Sequence, residues 1–158
     1  MSTDHDLQYF SKEGFAKLKQ ELEDRKIKMR QEIAQRLEYA KSLGDLSENS
    51  EYQEAKESQM LNESYIAELE ATLRRAIVVE KNTATDTVQI GSRVDIESVD
   101  SGARTMFFVV GANEASPEEQ KISHESPLGQ ALLKHKREDV VEVHAPKGTV
   151  RYKIIDIV

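Results

Sequence analysis

A chain of 158 residues, 38% hydrophobic and 32% charged, has room for one domain or two small ones and suits a soluble protein with an extended, charged element rather than one large globule. Its formal charge of −7 argues against a dedicated duplex-DNA binder, which needs a basic footprint to neutralise phosphates. There is no cysteine, so disulfides and thiolate metal sites are excluded and an intracellular compartment fits. Met1 to Gln8 lacks the cationic start and apolar run of a signal peptide, and no stretch approaches the roughly 20 apolar residues of a membrane span. The expected protein is soluble and cytoplasmic, with no membrane partner.

Tyr9, Phe10 and Ser11 lead into a helical pattern with Ser11 as its cap, free of proline from Lys12 to about Leu43. Phe15, Leu18, Leu22, Met29, Ile33, Leu37 and Ala40 recur at three- and four-residue steps, which predicts one apolar face. A second helix is expected to near Val79, with Tyr52, Ala55, Gln59, Asn62, Ile66, Leu69, Leu73 and Ala76 at heptad positions. Gln59 and Asn62 are polar seam residues facing Arg25 and Glu32 in the first helix, a pattern that fixes register. A short connection between two such helices forces an antiparallel hairpin.

The connection is Leu43 to Tyr52. Gly44 can end a helix in the left-handed conformation, and Asp45, Ser47 and Asn49 are each competent to cap the next one. Five carboxylates (Asp45, Glu48, Glu51, Glu54 and Glu57) face the single cation Lys56, so negative charge gathers where the backbone reverses. Asp45 and Glu48 have capping-box spacing, which explains acid at a helix start without invoking function. The same carboxylates suit a second role. Magnesium takes oxygen ligands and is usually held by one or two protein carboxylates with substrate phosphates, so these two make a poor site alone but can complete an ion held elsewhere.

From Glu80 to Thr87 the periodicity stops. The expected domains are 1–80, a coiled-coil hairpin with its acidic tip near 44–52; a linker, 81–87; and a β-rich unit, 88–158. Val88 to Val99 and Met106 to Val110 read as strands, and Ala112 to Gln120 as a loop. Ile122 begins another strand, and Ser126-Pro127 reads as the cap and first residue of a short helix through Leu133. Val140 to Val143 and Val150 to Val158 form a hairpin about Pro146-Lys147-Gly148. The fold class is α+β: an antiparallel helical hairpin, then a small, mainly antiparallel β domain with one short helix.

Other chemistry is poorly supported. The four histidines, His5, His124, His135 and His144, show no metal-ligand pairing; there is no phosphate-binding glycine loop and no Gly-x-Ser-x-Gly sequence.

At the tip the sequence resembles the GreA/GreB transcript-cleavage factors of bacterial RNA polymerase, and the GreA branch more closely. The family form Gly-Asp-Leu-x-Glu-Asn-Ala-Glu-Tyr is kept over Gly44 to Tyr52 except at Ser50, where alanine is common. A second match runs from Ile122-Ser123-His124-Glu125-Ser126-Pro127-Leu128 through Asp139-Val140-Val141-Glu142-Val143 to Pro146-Lys147-Gly148. The resemblance covers Ser11 to Ile157. Departures are Glu138, where the family often has glycine, and Phe107-Phe108, which leave the facing of that strand open.

The resemblance implies a C-terminal domain similar in fold to FK506-binding proteins, docking on the rim of the polymerase secondary channel while the hairpin enters the channel. Asp45 and Glu48 would then help hold the second magnesium ion and position water, so that the polymerase itself cleaves the nascent RNA of a backtracked complex near its 3′ end. Glu125, Ser126 and Pro127 match the rim-docking loop, although a strand-to-helix connection explains the same residues. Lys41 and Lys56 correspond to basic positions near extruded RNA or are simply solvated. On this reading the isolated protein is a monomer that binds no cofactor, shares magnesium with the polymerase, and activates an endonuclease without being an enzyme. The rivals are a non-cleaving inhibitor that occupies the same channel, and a prolyl isomerase or chaperone, for which Phe107, Phe108 and Tyr152 are thin material.

Overall fold

The computed structural model describes residues 7–158 and divides into two compact units, one spanning Ala16–Arg75 and the other combining the residues up to Phe15 with Ala76–Val158. His5 lies outside the described residues. No helix among the described residues is long and apolar enough to cross a membrane.

The first unit is the helical hairpin. Its first arm comprises α1 (Lys12–Asp24), a π-helical turn (Arg25–Met29) and α2 (Arg30–Ser42); its second arm is α3 (Ser50–Arg75). The seam is narrow: Ile33 and Ala40 are buried from one arm, and Ala55, Asn62 and Ile66 from the other. Asn62, 3% exposed, donates from Nδ2 to the Arg25 carbonyl at 3.2 Å and accepts from the Arg25 guanidinium at 3.5 Å. The Arg25 carbonyl also accepts the Arg30 N–H within the π turn, so Asn62 adds a second donor to the first carbonyl of that irregularity. The buried seam amide therefore ties the register to one point of the opposite arm, as the heptad pattern implied.

Three expected seam residues are corrected. Met29 is 39% exposed, because the π turn rotates it off the apolar stripe, Glu32 is exposed, and Gln59 is exposed while Ser58 is half-buried in its stead. Charge pairing flanks the seam: Arg30 makes two hydrogen bonds to Glu63, at 2.7 and 2.8 Å, and Lys26 pairs with Glu70. Exposed pairs of this kind stabilise little individually, so they select partner arms more than they hold them together.

The second helix does not continue to Val79. Ala76–Val79 is a strand, β2, paired in parallel with β1 (Gln8–Ser11), and its run Ala-Ile-Val-Val is richer in β-branched residues than a helix end favours. Ser11 caps α1 as expected, its Oγ accepting from the Gly14 N–H at 3.0 Å. The capping hydroxyl is itself held, since the Glu114 carboxylate accepts from Ser11 Oγ at 2.6 Å, from Ser11 N at 2.8 Å and from Gly111 N at 3.0 Å. Gly14 and Gly111 are required by this junction. A Cβ at Gly14 would lie 1.7 Å from Glu114 Oε1, and one at Gly111 would lie 1.8 Å from the Tyr9 carbonyl.

The remaining strands are β3 (Arg93–Ser98), β4 (Arg104–Val110), β5 (Lys121–Ser123), β6 (Val140–Ala145) and β7 (Gly148–Ile157), in the order β5-β4-β3-β7-β6. Within this five-stranded sheet the β4–β5 pair is parallel and the other pairs are antiparallel. The helix α4 (Pro127–Leu132) packs against both β5 and β6, the two edge strands, so the sheet curls around it. Val94, Ile96, Val109, Leu132, Val141 and Ile154 form the core beneath. The facing of β4 is settled: Phe107 packs on the core, whereas Phe108 lies under the Arg93 guanidinium, 4.5 Å from its ring centre. Glu138 adopts φ of 71°, a left-handed geometry in which glycine is least strained, and the turn is held by the Glu138 N–H donating to Ile154 O at 2.8 Å.

Candidate functional site

The hairpin tip is a loop between Ser42 and Ser50, and the helix cap is not where capping-box spacing would put it. Helix α3 starts at Ser50, and the Asn49 Oδ1 accepts from the Tyr52 N–H at 3.2 Å, so Asn49 is the cap. Its other end donates from Nδ2 to the Ala40 carbonyl at 2.6 Å. One side chain thus closes the end of α2 against the start of α3, and it is half-buried where the rest of the loop is exposed. Gly44 takes φ of 110°, consistent with its expected role in ending α2.

Asp45 and Glu48 consequently lie in the loop, both exposed, and neither caps α3. The Asp45 Oδ1 accepts from the Ser47 N–H at 2.9 Å and from the Ser47 hydroxyl at 2.7 Å. Those two donors hold the Asp45 carboxyl below the usual aspartate range, the hydroxyl contributing most. Its carboxylate is anionic throughout the physiological range, with Oδ2 outside this pair of bonds. Among the described residues, no group of three or more His, Cys, Asp or Glu side chains is placed to hold a metal ion.

Lys41 is exposed in the last turn of α2, where a cation is also favoured by the helix dipole. Lys56 is drawn over Tyr52, its Nζ 5.9 Å from the ring centre, so part of its placement is local.

Glu125, Ser126 and Pro127 form a hydrogen-bonded corner between β5 and α4. Ser126 N and Oγ both donate to the Ser123 carbonyl, at 3.0 and 2.7 Å, and Ser126 Oγ accepts from the Gly129 N–H at 3.1 Å as the cap of α4. The Glu125 N–H donates to Ser123 Oγ at 3.0 Å, and its side chain is 66% exposed. The structural role of Ser126 and Pro127 is therefore real, and Glu125 presents an exposed carboxylate whose Oε1 lies 3.8 Å from His124 Nε2. His124 packs edge-on against Tyr9, with ring centres 5.8 Å apart.

Asn49 had a sequence signal as one of three competent caps, but its donor contact to Ala40 had none. Ser47 shares that capping signal but its use, two bonds to Asp45, has none, and Glu114 carries no motif that distinguishes it from other polar loop residues. Asn49→Asp is expected to separate the two functions of that side chain. Aspartate still caps α3 but cannot donate to Ala40 O, so amide exchange at the tip should accelerate while the melting temperature changes little, the change corresponding to about 1 kcal/mol or less. A tip whose exchange is unchanged would show that the clamp does not order the loop.

The comparisons assign the helical hairpin with its acidic loop, and the curled β domain that follows it in sequence, to the transcription elongation factors. The profile described as "Transcription elongation factor, N-terminal" matches residues 8–78, and that described as "Transcription elongation factor, GreA/GreB, C-term" matches residues 82–158. The chain belongs to the GreA/GreB family of bacterial transcription elongation factors. Transcription elongation factor GreA of Acetivibrio thermocellus is 45% identical over 92% of this chain and 92% of its own length. GreA of Thermotoga maritima is 45% identical over 93% of this chain and 94% of its own. Among solved structures, GreA factor homolog 1 of Thermus thermophilus is 31% identical, with 96% of this chain and 99% of that chain covered and a TM-score of 0.43.

Proposed function

We propose that this protein stimulates the intrinsic cleavage of backtracked nascent RNA by bacterial RNA polymerase, in the cytoplasm, with the hairpin inserted in the secondary channel and Glu125, Ser126 and Pro127 docked on the channel rim. The observation that carries the reading is that Asp45 and Glu48 stand in the exposed loop, outside the cap of α3, although capping is the structural use their spacing best explains. Two exposed carboxylates, one held anionic by Ser47, are a fitting partial donor set for a hard divalent cation and an incomplete one alone. When bound, a second magnesium ion in the polymerase centre stabilises the charge that develops on the attacking and leaving oxygens of an in-line displacement.

In that arrangement Asp45 and Glu48 add oxygen ligands, and a carboxylate oxygen outside the ligand set orients a water by accepting its hydrogen bond. On this reading the protein acts as a monomeric activator of chemistry that belongs to the polymerase. Lys41 and Lys56, exposed on the two arms beside the tip, would attract the phosphates of extruded RNA without reading its sequence.

The test is RNA cleavage in a defined backtracked polymerase complex with magnesium, with and without the protein. Accelerated cleavage followed by resumed synthesis is expected. Suppressed synthesis with cleavage unchanged would overturn the reading and make the protein a channel-occupying inhibitor.

A further inference from the structure

We infer that Ser47 is a positioning residue for Asp45: by donating twice to one carboxylate oxygen, Ser47 fixes the rotamer of Asp45 and leaves Oδ2 as the oxygen presented to the shared cation. This deepens, and rests on, the reading of Asp45 as a ligand donated in trans. Both bonds go to the same atom, Ser47 N to Oδ1 at 2.9 Å and Ser47 Oγ to Oδ1 at 2.7 Å. A lone exposed aspartate samples several rotamers, and ordering it at the moment of binding costs side-chain entropy. Two donors on one oxygen remove most of that freedom beforehand and divide the carboxylate into a protein-facing and a ligand-facing atom. The arrangement favours monodentate donation, which is the geometry a small octahedral cation accepts from a carboxylate.

Ser47→Ala removes the hydroxyl and keeps the N–H, in an exposed loop whose closure is made by Asn49. Three-bond side-chain couplings of Asp45 in the free protein should report one dominant rotamer in wild type and in Ser47→Thr, and averaging among rotamers in Ser47→Ala. In the backtracked complex, Ser47→Ala should slow cleavage at saturating protein about fivefold and raise the magnesium concentration for half-maximal cleavage. Ser47→Thr should restore both, and affinity for polymerase should be the same for all three proteins. Asp45→Ala is run alongside. If Asp45→Ala cleaves like wild type, Asp45 is no ligand and the functional reading itself fails. If Asp45→Ala is inactive while Ser47→Ala matches wild type in magnesium dependence and rate, only the assignment of Ser47 is overturned.

Discussion

Replacing Asp45 and Glu48 together by alanine is expected to lower stimulated RNA cleavage about 100-fold or more, the scale on which removing groups that stabilise developing charge acts. Polymerase affinity and thermal stability should stay close to wild type. The structural reason lies in the cap. Had Asp45 and Glu48 formed a capping box, the double variant would lose about 1 kcal/mol of helix stability and its defect in cleavage would be confounded with a loosened tip. Asn49 makes the cap instead and also clamps the Ala40 carbonyl, and neither bond involves the two acids. Competition for polymerase against a labelled wild-type protein provides the second readout. A parallel loss of binding would mean that the acids dock the hairpin, and would sink the assignment of a chemical role.

The tip shows where sequence reasoning is strong and where it stops. That a turn lies between Leu43 and Tyr52 followed from glycine, three capping candidates and the break in two apolar periods, and the loop between Ser42 and Ser50 is there. Which candidate caps depends on a contact with Ala40, nine residues earlier, and no local pattern encodes that. The two arms were legible because their stripes repeat, but the π turn at Arg25–Met29 was not, since a single inserted residue displaces Met29 without erasing the period around it. Asn62 reads as a register device, and its partner is the first carbonyl of that π turn, so the register is pinned at the irregularity itself. The strands β1 and β2 were missed for another reason. Each is four residues long, and their pairing brings together segments that flank the whole hairpin, so Ala76–Val79 looked like a helix end until Gln8–Ser11 was set beside it.

In the C-terminal domain the hairpin of β6 and β7, the short helix and its Ser126 cap were plain from turn chemistry. The parallel placement of β5 beside β4 was not, because strand order depends on which edge the curled sheet presents. The same holds for glycine. Gly44 announces itself by position, whereas the demand on Gly129 arises only once α4 lies against β5.

Gly129→Ala should therefore produce the largest loss of stability among single methyl additions near the proposed docking corner. A Cβ at Gly129 would lie 2.0 Å from the Ser123 carbonyl oxygen and 3.0 Å from His124 Cα, both backbone atoms that cannot swing aside. The same carbonyl accepts the Ser126 bonds that shape the corner, so relieving the clash means breaking them or lifting α4 from the edge strand. Overpacking of this kind costs about 1–3 kcal/mol, and for a domain of this size each kcal/mol lowers the melting temperature by roughly 4–8 °C. Glu125→Ala is the matched comparison, since it removes an exposed carboxylate and its approach to His124 while the backbone and Ser126 bonds of the corner stay in place. Both variants should bind polymerase more weakly, but only Gly129→Ala should melt early. Because the tip belongs to the other compact unit, both should recover the wild-type cleavage rate at saturating protein. A Gly129→Ala protein that melts early yet binds with full affinity would separate the corner from docking, and the rim contact would then have to be sought on another face of the domain.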